Sequence, residues 1–250
     1  MSDNKSNNPA EQIKPYGDSS KSKKEEVAQM FDNISGNYDQ LNRMISFGAD
    51  VKWRKKVLKM VSDAQPKTIL DIATGTGDLA ILFAQTKAEK IVGLDISVGM
   101  LDVGRDKIKK LNLQDRIEMI VGDSENLPFE DASFDVVTVS FGIRNFENLE
   151  KGLAEILRVL TPNGQLIVLE TSVPDKFPFK QGYNFHTKFV LPTIGKLFSK
   201  DKRAYSYLSE SANAFPFGQK LCDIFAKVGF IKADFYKQTM GVATIYQVKK

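Results

Sequence analysis

The sequence predicts an α/β fold with a mostly parallel sheet that ends in an antiparallel hairpin. Short β-branched runs alternate with helical patterns from about residue 67 to residue 169. Such alternation implies right-handed crossovers and a parallel sheet. Two glycines, Gly75 and Gly77, turn the chain between the first strand and its helix. At the end, the β-rich runs 231–238 and 242–249 flank Met240-Gly241, which is typical of a hairpin.

The region before the sheet has two different compositions. Residues 1 to about 24 are rich in Asn, Ser, Lys and Glu, and this predicts a disordered tail. From Met30 to Ile45 apolar residues recur at helical spacing, with Gly36 as a break, and a second helix is expected over 53–61.

The strands and helices of the sheet follow in order. The first strand carries an apolar run after Pro66, and the second ends at Asp95. Valine-rich residues 134–140 predict a strand that is buried on both faces. The predicted strands are 67–72, 90–95, 117–122, 134–140 and 166–169, and the predicted helices are 78–85, 98–111, 149–160 and 218–228.

Composition limits the class of protein. With 250 residues, 42% of them hydrophobic, the chain is long enough for one domain, expected over 25–250. The net charge of +4 comes largely from short lysine groups that are typical of solvated surfaces. The sequence has no basic stripe, and it therefore does not indicate nucleic-acid binding. One cysteine allows no internal disulfide and no cysteine-rich metal site, so no metal is expected. Without a long apolar run or a signal peptide, the sequence predicts a cytoplasmic protein.

The glycine turn and a later acid predict a nucleoside site. Glycines let the backbone approach a ligand closely, and Asp95, about twenty residues after Gly75, can accept hydrogen bonds from ribose hydroxyls. Asp71 at the end of the first strand would repel the pyrophosphate of NAD but attract the ammonium of an amino acid. Asp123-Ser124 after the third strand could contact an adenine edge. These features favour S-adenosylmethionine over NAD.

Further motifs are more specific than the glycine turn. They are Tyr38-Asp39-Gln40-Leu41-Asn42 with Ile45-Ser46 and Trp53; Phe141-Gly142-Ile143-Arg144-Asn145-Phe146; Arg158-Val159-Leu160 with Gly164 and Glu170-Thr171-Ser172; and Leu191-Pro192 with Ile194-Gly195, Tyr205, Tyr207-Leu208, Glu210-Ser211 and Phe215-Pro216. On these motifs the chain resembles the menaquinone and ubiquinone biosynthesis C-methyltransferases across about residues 25 to 250. Asp50 stands where that family usually has His. Either this position is not required for chemistry here, or the lid works differently.

The resemblance implies a Rossmann-like class I S-adenosylmethionine-dependent methyltransferase. It also implies a helical lid over about 25–62 and a substrate-side insertion over about 174–216. The cofactor contacts that it implies are Thr74, Asp95, Asp123, Ser124 and Ser140, with Asp95 on the ribose and Asp123-Ser124 on the adenine. Asp71, Gly75 and Gly77 are added from their place at the first strand and its loop.

The implied reaction is methylation of a ring carbon on a polyprenylated quinol. A hydroquinone hydroxyl resembles that of tyrosine, so its ionisation at pH 7 costs roughly 4 kcal/mol. Arg144 and Asn145 follow the fourth strand, at the edge where open sheets bind substrates, and are predicted to face the quinol. Arg144 would stabilise the phenolate or polarise a water that takes the proton. The alternative is a salt bridge that orders the loop.

The acceptor and the partners stay open at this stage. The most favoured acceptor is demethylmenaquinol, and the alternatives are a methoxylated benzoquinol, another small molecule or RNA. An NAD-dependent oxidoreductase and a non-catalytic binding subunit are the rival classes. Residues 177–198 combine Phe, Leu and Ile with lysines, and they are expected either to accept the prenyl chain and touch the inner face of a membrane or to form a plain core helix. The sequence allows a homo-oligomer.

Overall fold

A computed structural model describes residues 8–190, 193 and 201–250 of the chain. Its sheet has the strand order β3-β2-β1-β4-β5-β7-β6, with β7 antiparallel to both neighbours, which confirms the predicted fold class. The motif at Leu191-Pro192 and Ile194-Gly195 lies outside the described residues. The strands are β1 (Thr68–Ile72), β2 (Lys90–Asp95), β3 (Ile117–Val121), β4 (Phe134–Ser140), β5 (Leu160–Thr171), β6 (Lys232–Gln238) and β7 (Ala243–Lys249).

Helices cover both faces of the sheet. One face packs against α6 and α9 through residues such as Leu153 and Phe225, and the other packs against α3, α4 and α5 through Val57, Phe83 and Leu101. The helices are α1 (Lys23–Ile34), α2 (Tyr38–Ile45), α3 (Ala49–Asp63), α4 (Asp78–Phe83), α5 (Val98–Lys110), α6 (Leu149–Val159), α7 (Phe179–Phe185), α8 (Lys202–Ala214) and α9 (Gln219–Val228).

Residues 8–24 differ from the predicted disordered tail, since they pack against the domain. The buried Lys23 ammonium donates to the carbonyls of Ala10, Arg144 and Phe146 at 2.8–3.1 Å. The buried carboxylate of Glu26 accepts from the backbone of residues 16–18. The composition of this segment indicated disorder, because composition does not reveal hydrogen-bond partners that are distant in the sequence, such as these carbonyls.

The chain reverses its direction across the sheet between β1 and β4, which lie side by side. In open α/β sheets, ligands bind in the crevice at the carboxyl ends of the strands on either side of such a point. The residues that follow β1, β2 and β4 therefore meet at one edge, and α1, α2 and α3 approach the same edge from outside.

Candidate active site

The glycine turn after β1 is held by the carboxylate at the end of β2. Asp95 Oδ2 accepts from the backbone N–H of Gly75 at 2.7 Å, and Oδ1 accepts from that of Ser97 at 2.8 Å. Gly75 and Gly77 have φ values of 56° and 76°, which glycine adopts without strain. Burial raises the pKa of Asp95 to about 6, although these amide hydrogen bonds oppose the shift. Each carboxylate oxygen keeps a lone pair for a further donor.

Asp71 lies behind the glycine turn and not in the cleft. The strand continues to Ile72, and the Asp71 carboxylate accepts from the hydroxyls of Thr138 at 2.5 Å and Thr74 at 2.6 Å. Burial raises its pKa to about 6 against these two hydrogen bonds. The structure thus places Asp71 and Thr74 where they support the loop. The attraction of an ammonium group by Asp71, directly or through water, stays a prediction.

A narrow cleft runs along the ends of β1, β2 and β4. Five of the eight predicted cofactor residues line it, and Asp71, Thr74 and Gly77 lie outside its lining. The five are Gly75, Asp95, Asp123, Ser124 and Ser140. Ser140 Oγ is buried and has no hydrogen-bond partner among the described residues. A buried hydroxyl of this kind calls for a ligand or a water.

The N-terminal helices cover this cleft. Lys24 of α1 donates to Asp123 at 2.8 Å, and Asp39 of α2 accepts from the hydroxyl of Thr76 in the glycine turn at 2.6 Å. In this closed arrangement the cleft encloses about 70 Å³, far below the roughly 300–1,000 Å³ of ligand pockets. In this arrangement the cleft is smaller than a nucleoside requires.

A second, apolar cavity of about 500 Å³ adjoins the cleft, and Tyr38 and Phe141 line both spaces. Its walls come from α2, α3, α7 and α8 and from the turn between β6 and β7. Phe141 has a φ of 57°, a left-handed conformation that is unusual for a bulky side chain and that is found at functional sites. It packs against Trp53 with ring centroids 6.2 Å apart.

Arg144 lines the second cavity. It forms an ion pair with Glu170 of β5, which does not line the cavity. The Arg144 Nη1–Glu170 Oε1 distance is 2.6 Å, and the two side chains are 6% and 1% exposed. Burial is the largest single influence and lowers the pKa of Arg144, but the charge and hydrogen bond of Glu170, together with Tyr207 and Tyr38, raise the pKa overall. Arg144 Nε and Glu170 Oε2 have no hydrogen-bond partner in the described part of the chain. The ion pair named as the structural alternative is thus present, and it leaves one donor of Arg144 free.

Asn145 and its neighbour Arg144 face different spaces. It lines the first cleft, not the second cavity, and its Oδ1 accepts from the hydroxyl of Tyr207 at 3.0 Å. The predicted quinol-facing pair is thus divided between the two spaces, because successive residues of the helical turn Ile143–Asn145 point in different directions.

Two polar residues of the site were not predicted. Asp50 lines the second cavity with an unpartnered oxygen, and Glu170 lies behind Arg144. Asp50 appeared in the sequence as a departure from a family pattern, and Glu170 as part of a motif without a role. An acid on the apolar side of an amphipathic helix is the signal that could have revealed Asp50.

The proteins that this chain resembles in sequence are methyltransferases, which agrees with the cleft and the apolar cavity described above. A model of the ubiE/COQ5 methyltransferase family matches residues 19–250. A protein of Bacteroides fragilis named demethylmenaquinone methyltransferase is 47% identical over 245 residues, which cover 98% of this chain and 100% of the relative. A protein of Geobacter sulfurreducens named ubiquinone/menaquinone biosynthesis C-methyltransferase is 43% identical, with 91% and 90% of the two chains covered.

Comparison of structures supports the fold. A crystal structure from Thermotoga maritima, described as a SAM-dependent methyltransferase and possible histamine N-methyltransferase, superposes with a TM-score of 0.62 at 20% identity. The match covers 89% of this chain and 99% of that one. The unpartnered Ser140 hydroxyl and the Asp95 carboxylate, beside a glycine turn, form a donor and acceptor set that fits a nucleoside with ribose hydroxyls.

Proposed function

The chain belongs to the ubiE/COQ5 methyltransferase family, and from this premise we propose that it methylates a ring carbon of a polyprenylated quinol, with demethylmenaquinol as the favoured acceptor. The chain is an S-adenosylmethionine-dependent methyltransferase. Two relatives named demethylmenaquinone methyltransferase, at 47% and 44% identity, favour the naphthoquinol over a methoxylated benzoquinol.

One observation carries the proposal: a polar cleft and a large apolar cavity share the side chains of Tyr38 and Phe141. Asp95 gives the cleft its acceptors for a nucleoside. The cavity is walled by rings and aliphatic groups, with Arg144 among its few charged residues. A flat aromatic acceptor in the cavity would thus lie directly beside the methyl donor in the cleft.

The residues supply position and charge. The bound cofactor provides a methyl group that is already activated on a sulfonium. Asp95 and Ser140 hold the nucleoside, and α1 and α2 exclude water when they close. Arg144, whose Nε is free, stabilises the phenolate that makes the neighbouring carbon nucleophilic. Alignment of the reacting atoms contributes about 7–11 kcal/mol.

The test is methyl transfer from labelled S-adenosylmethionine to a short-chain prenyl naphthoquinol kept reduced under anaerobic conditions. We expect label in the ring of the naphthoquinol and a lower kcat/KM for the methoxybenzoquinol analogue. The oxidised naphthoquinone is the control, because it has no hydroxyl to ionise. Equal transfer to the oxidised ring, or none to the quinol, would overturn the proposal.

The prenyl chain and the membrane form a second part of the proposal. The mouth of the apolar cavity exposes Phe47, which is 81% accessible, and Met240, which is 63% accessible. Phe177 lies next to the mouth, and Lys176 and Lys180 flank it in the sequence. Exposed rings bordered by lysines suit a lipid interface. We expect the prenyl chain to leave through this mouth and the protein to touch the anionic inner face of the membrane. In the described ranges, no helix is long and apolar enough to cross a bilayer.

Co-sedimentation with anionic liposomes tests the membrane contact. The double change Phe47→Ser and Met240→Ser should reduce the bound fraction several-fold. The matched control is Leu111→Ser, which removes an exposed apolar side chain at the opposite edge of the sheet, before β3. Equal binding of both variants would contradict the membrane contact and leave the methyltransferase proposal untouched.

The α1–α3 helices act as the lid in this proposal. Their closed position narrows the cleft, and tethers such as Lys24–Asp123 and Asp39–Thr76 hold them there. S-Adenosylhomocysteine should slow amide hydrogen exchange in α1 and α2 relative to the ligand-free protein, because it fills the space beneath them. Unchanged exchange in both helices would argue against a lid.

A further inference from the structure

The apolar cavity contains a carboxylate that the proposed function has not used. Asp50 lies in the first turn of α3, directly after the left-handed Gly48, whose φ is 73°. Its side chain is 3% exposed and lines the second cavity. The turn between α2 and α3 thus brings a carboxylate into a space that is otherwise walled mainly by rings and aliphatic groups.

Only half of this carboxylate is satisfied by hydrogen bonds within the part of the chain that the structure covers. Oδ1 accepts from the hydroxyl of Ser46 at 2.6 Å. Oδ2 is buried without a hydrogen-bond partner, and Arg54 Nη1 lies 3.3 Å from it, one helical turn further on. Arg54 donates instead to Asp78 at 2.9 Å. The ion pair with Arg54 offsets the charge of Oδ2, but this oxygen accepts no hydrogen bond, and a ligand donor would complete it.

A quinol hydroxyl is the donor that this cavity would bring to Oδ2. Arg54 Nη1 forms an ion pair with Asp50 Oδ2 at 3.3 Å, and the N-terminus of α3 adds positive potential beside the same carboxylate. Arg144 reaches the same cavity from the segment after β4. One wall of the cavity thus presents a proton acceptor, and another presents a cation for the charge that the proton leaves behind.

We propose that Asp50 is the catalytic base of the methyl transfer, a role that rests on the proposed function and goes beyond it. The quinol O–H proton passes to Asp50 Oδ2, and the phenolate pushes its charge onto the adjacent ring carbon. That carbon forms a bond to the methyl group, and the electron pair of the broken methyl–sulfur bond stays on sulfur. The ring carbon then loses its own proton to water, and Asp50 returns its proton to the oxygen. One proton is released overall.

The first test compares Asp50→Asn with the wild type at pH 7. Asparagine keeps an acceptor for Ser46 but cannot take a proton. Since general-base catalysis contributes typically 10²–10⁴-fold, kcat should fall at least about 100-fold, with the affinity for S-adenosylhomocysteine and the unfolding temperature nearly unchanged. Asp63→Asn is the matched control, because Asp63 is an exposed carboxylate on the same helix. Asp50→His, which keeps a base, should recover much of the loss.

The pH profile separates a base from a structural carboxylate. Without a base the reaction depends on quinol that ionises by itself, so kcat of Asp50→Asn should rise about tenfold per pH unit from pH 7 towards the hydroxyl pKa near 10. The profile of the wild type should be much flatter. Among the described residues, Arg54, Arg144, Tyr38 and Tyr183 are the other charged or titratable groups that line the cavity, with Asp78 and Glu170 paired to the two arginines, and both proteins share them.

Different results would contradict the role of Asp50 and the proposed methyltransferase function. An Asp50→Asn variant that works within threefold of the wild type, or that follows a parallel pH profile, overturns the role of Asp50 and leaves the methyltransferase in place. A wild-type protein that is inert towards every quinol overturns the proposed function itself.

Discussion

The Arg144–Glu170 pair offers a test of whether Arg144 acts on the substrate or only orders its loop. Both side chains are almost fully buried and their charged atoms are 2.6 Å apart. Arg144→Met would leave the buried Glu170 side chain without its partner, and removal of one member of a buried pair costs about 3–5 kcal/mol. At about 2–4 °C per kcal/mol for a chain of this size, the unfolding temperature should fall by about 6–20 °C.

The double variant Arg144→Met with Glu170→Gln removes both charges. Replacement of a buried pair by neutral groups is often close to neutral in stability, so most of the lost unfolding temperature should return. Turnover should not return. A missing donor to a developing oxyanion costs about 10²–10³ in kcat, and both variants should show this loss.

The assays are thermal unfolding and naphthoquinol methylation at a temperature where each variant is folded. Calorimetry with S-adenosylhomocysteine is the internal control, because Arg144 lines the second cavity and not the cofactor cleft. A double variant with wild-type turnover would refute the electrostatic role. An unchanged unfolding temperature in Arg144→Met would refute the reasoning from the buried pair.

Two further predictions concern the cofactor cleft. The raised pKa values of Asp95 and Asp71, about 6 each, mean that their protonated forms stabilise the fold below about pH 4 and that this contribution is lost as pH rises through 6. Ligand binding has the opposite sign, because ribose donors favour the ionised carboxylate of Asp95. The affinity for S-adenosylhomocysteine should therefore fall below pH 6 in calorimetry, and a flat profile would contradict this. Gly142→Ala would place two carbons 2.4 Å apart at Ala73, so we expect a loss of about 1–3 kcal/mol in denaturant unfolding and weaker binding. Gly36→Ala, with open space around it, should change neither quantity.

Local patterns predicted the sheet and much of the nucleoside site. The period of the apolar residues follows directly from strand and helix geometry, so the strands, the helices and the mostly parallel sheet could be predicted from alternation alone. Asp95 and Asp123 were predicted because each follows or ends a parallel strand, and the carboxyl ends of such strands meet at one edge, whereas Ser140 came from the resemblance to a family.

Contacts between distant residues could not be inferred in this way. Lys23 orders residues 8–24 through carbonyls more than a hundred residues away, and composition alone indicated disorder there. Asp71 was expected at the cleft, but two threonine hydroxyls, one of them on the neighbouring strand, hold it behind the turn.

By itself the sequence determined the parallel sheet, the glycine turn and the acid that faces it, because these depend on spacing along a few neighbouring residues. Only the tertiary structure decided that Arg144 and Asn145 face different spaces and that Asp50 enters the apolar cavity with an oxygen that accepts no hydrogen bond. Side-chain direction and desolvation depend on every element packed around a residue, and no local pattern encodes them.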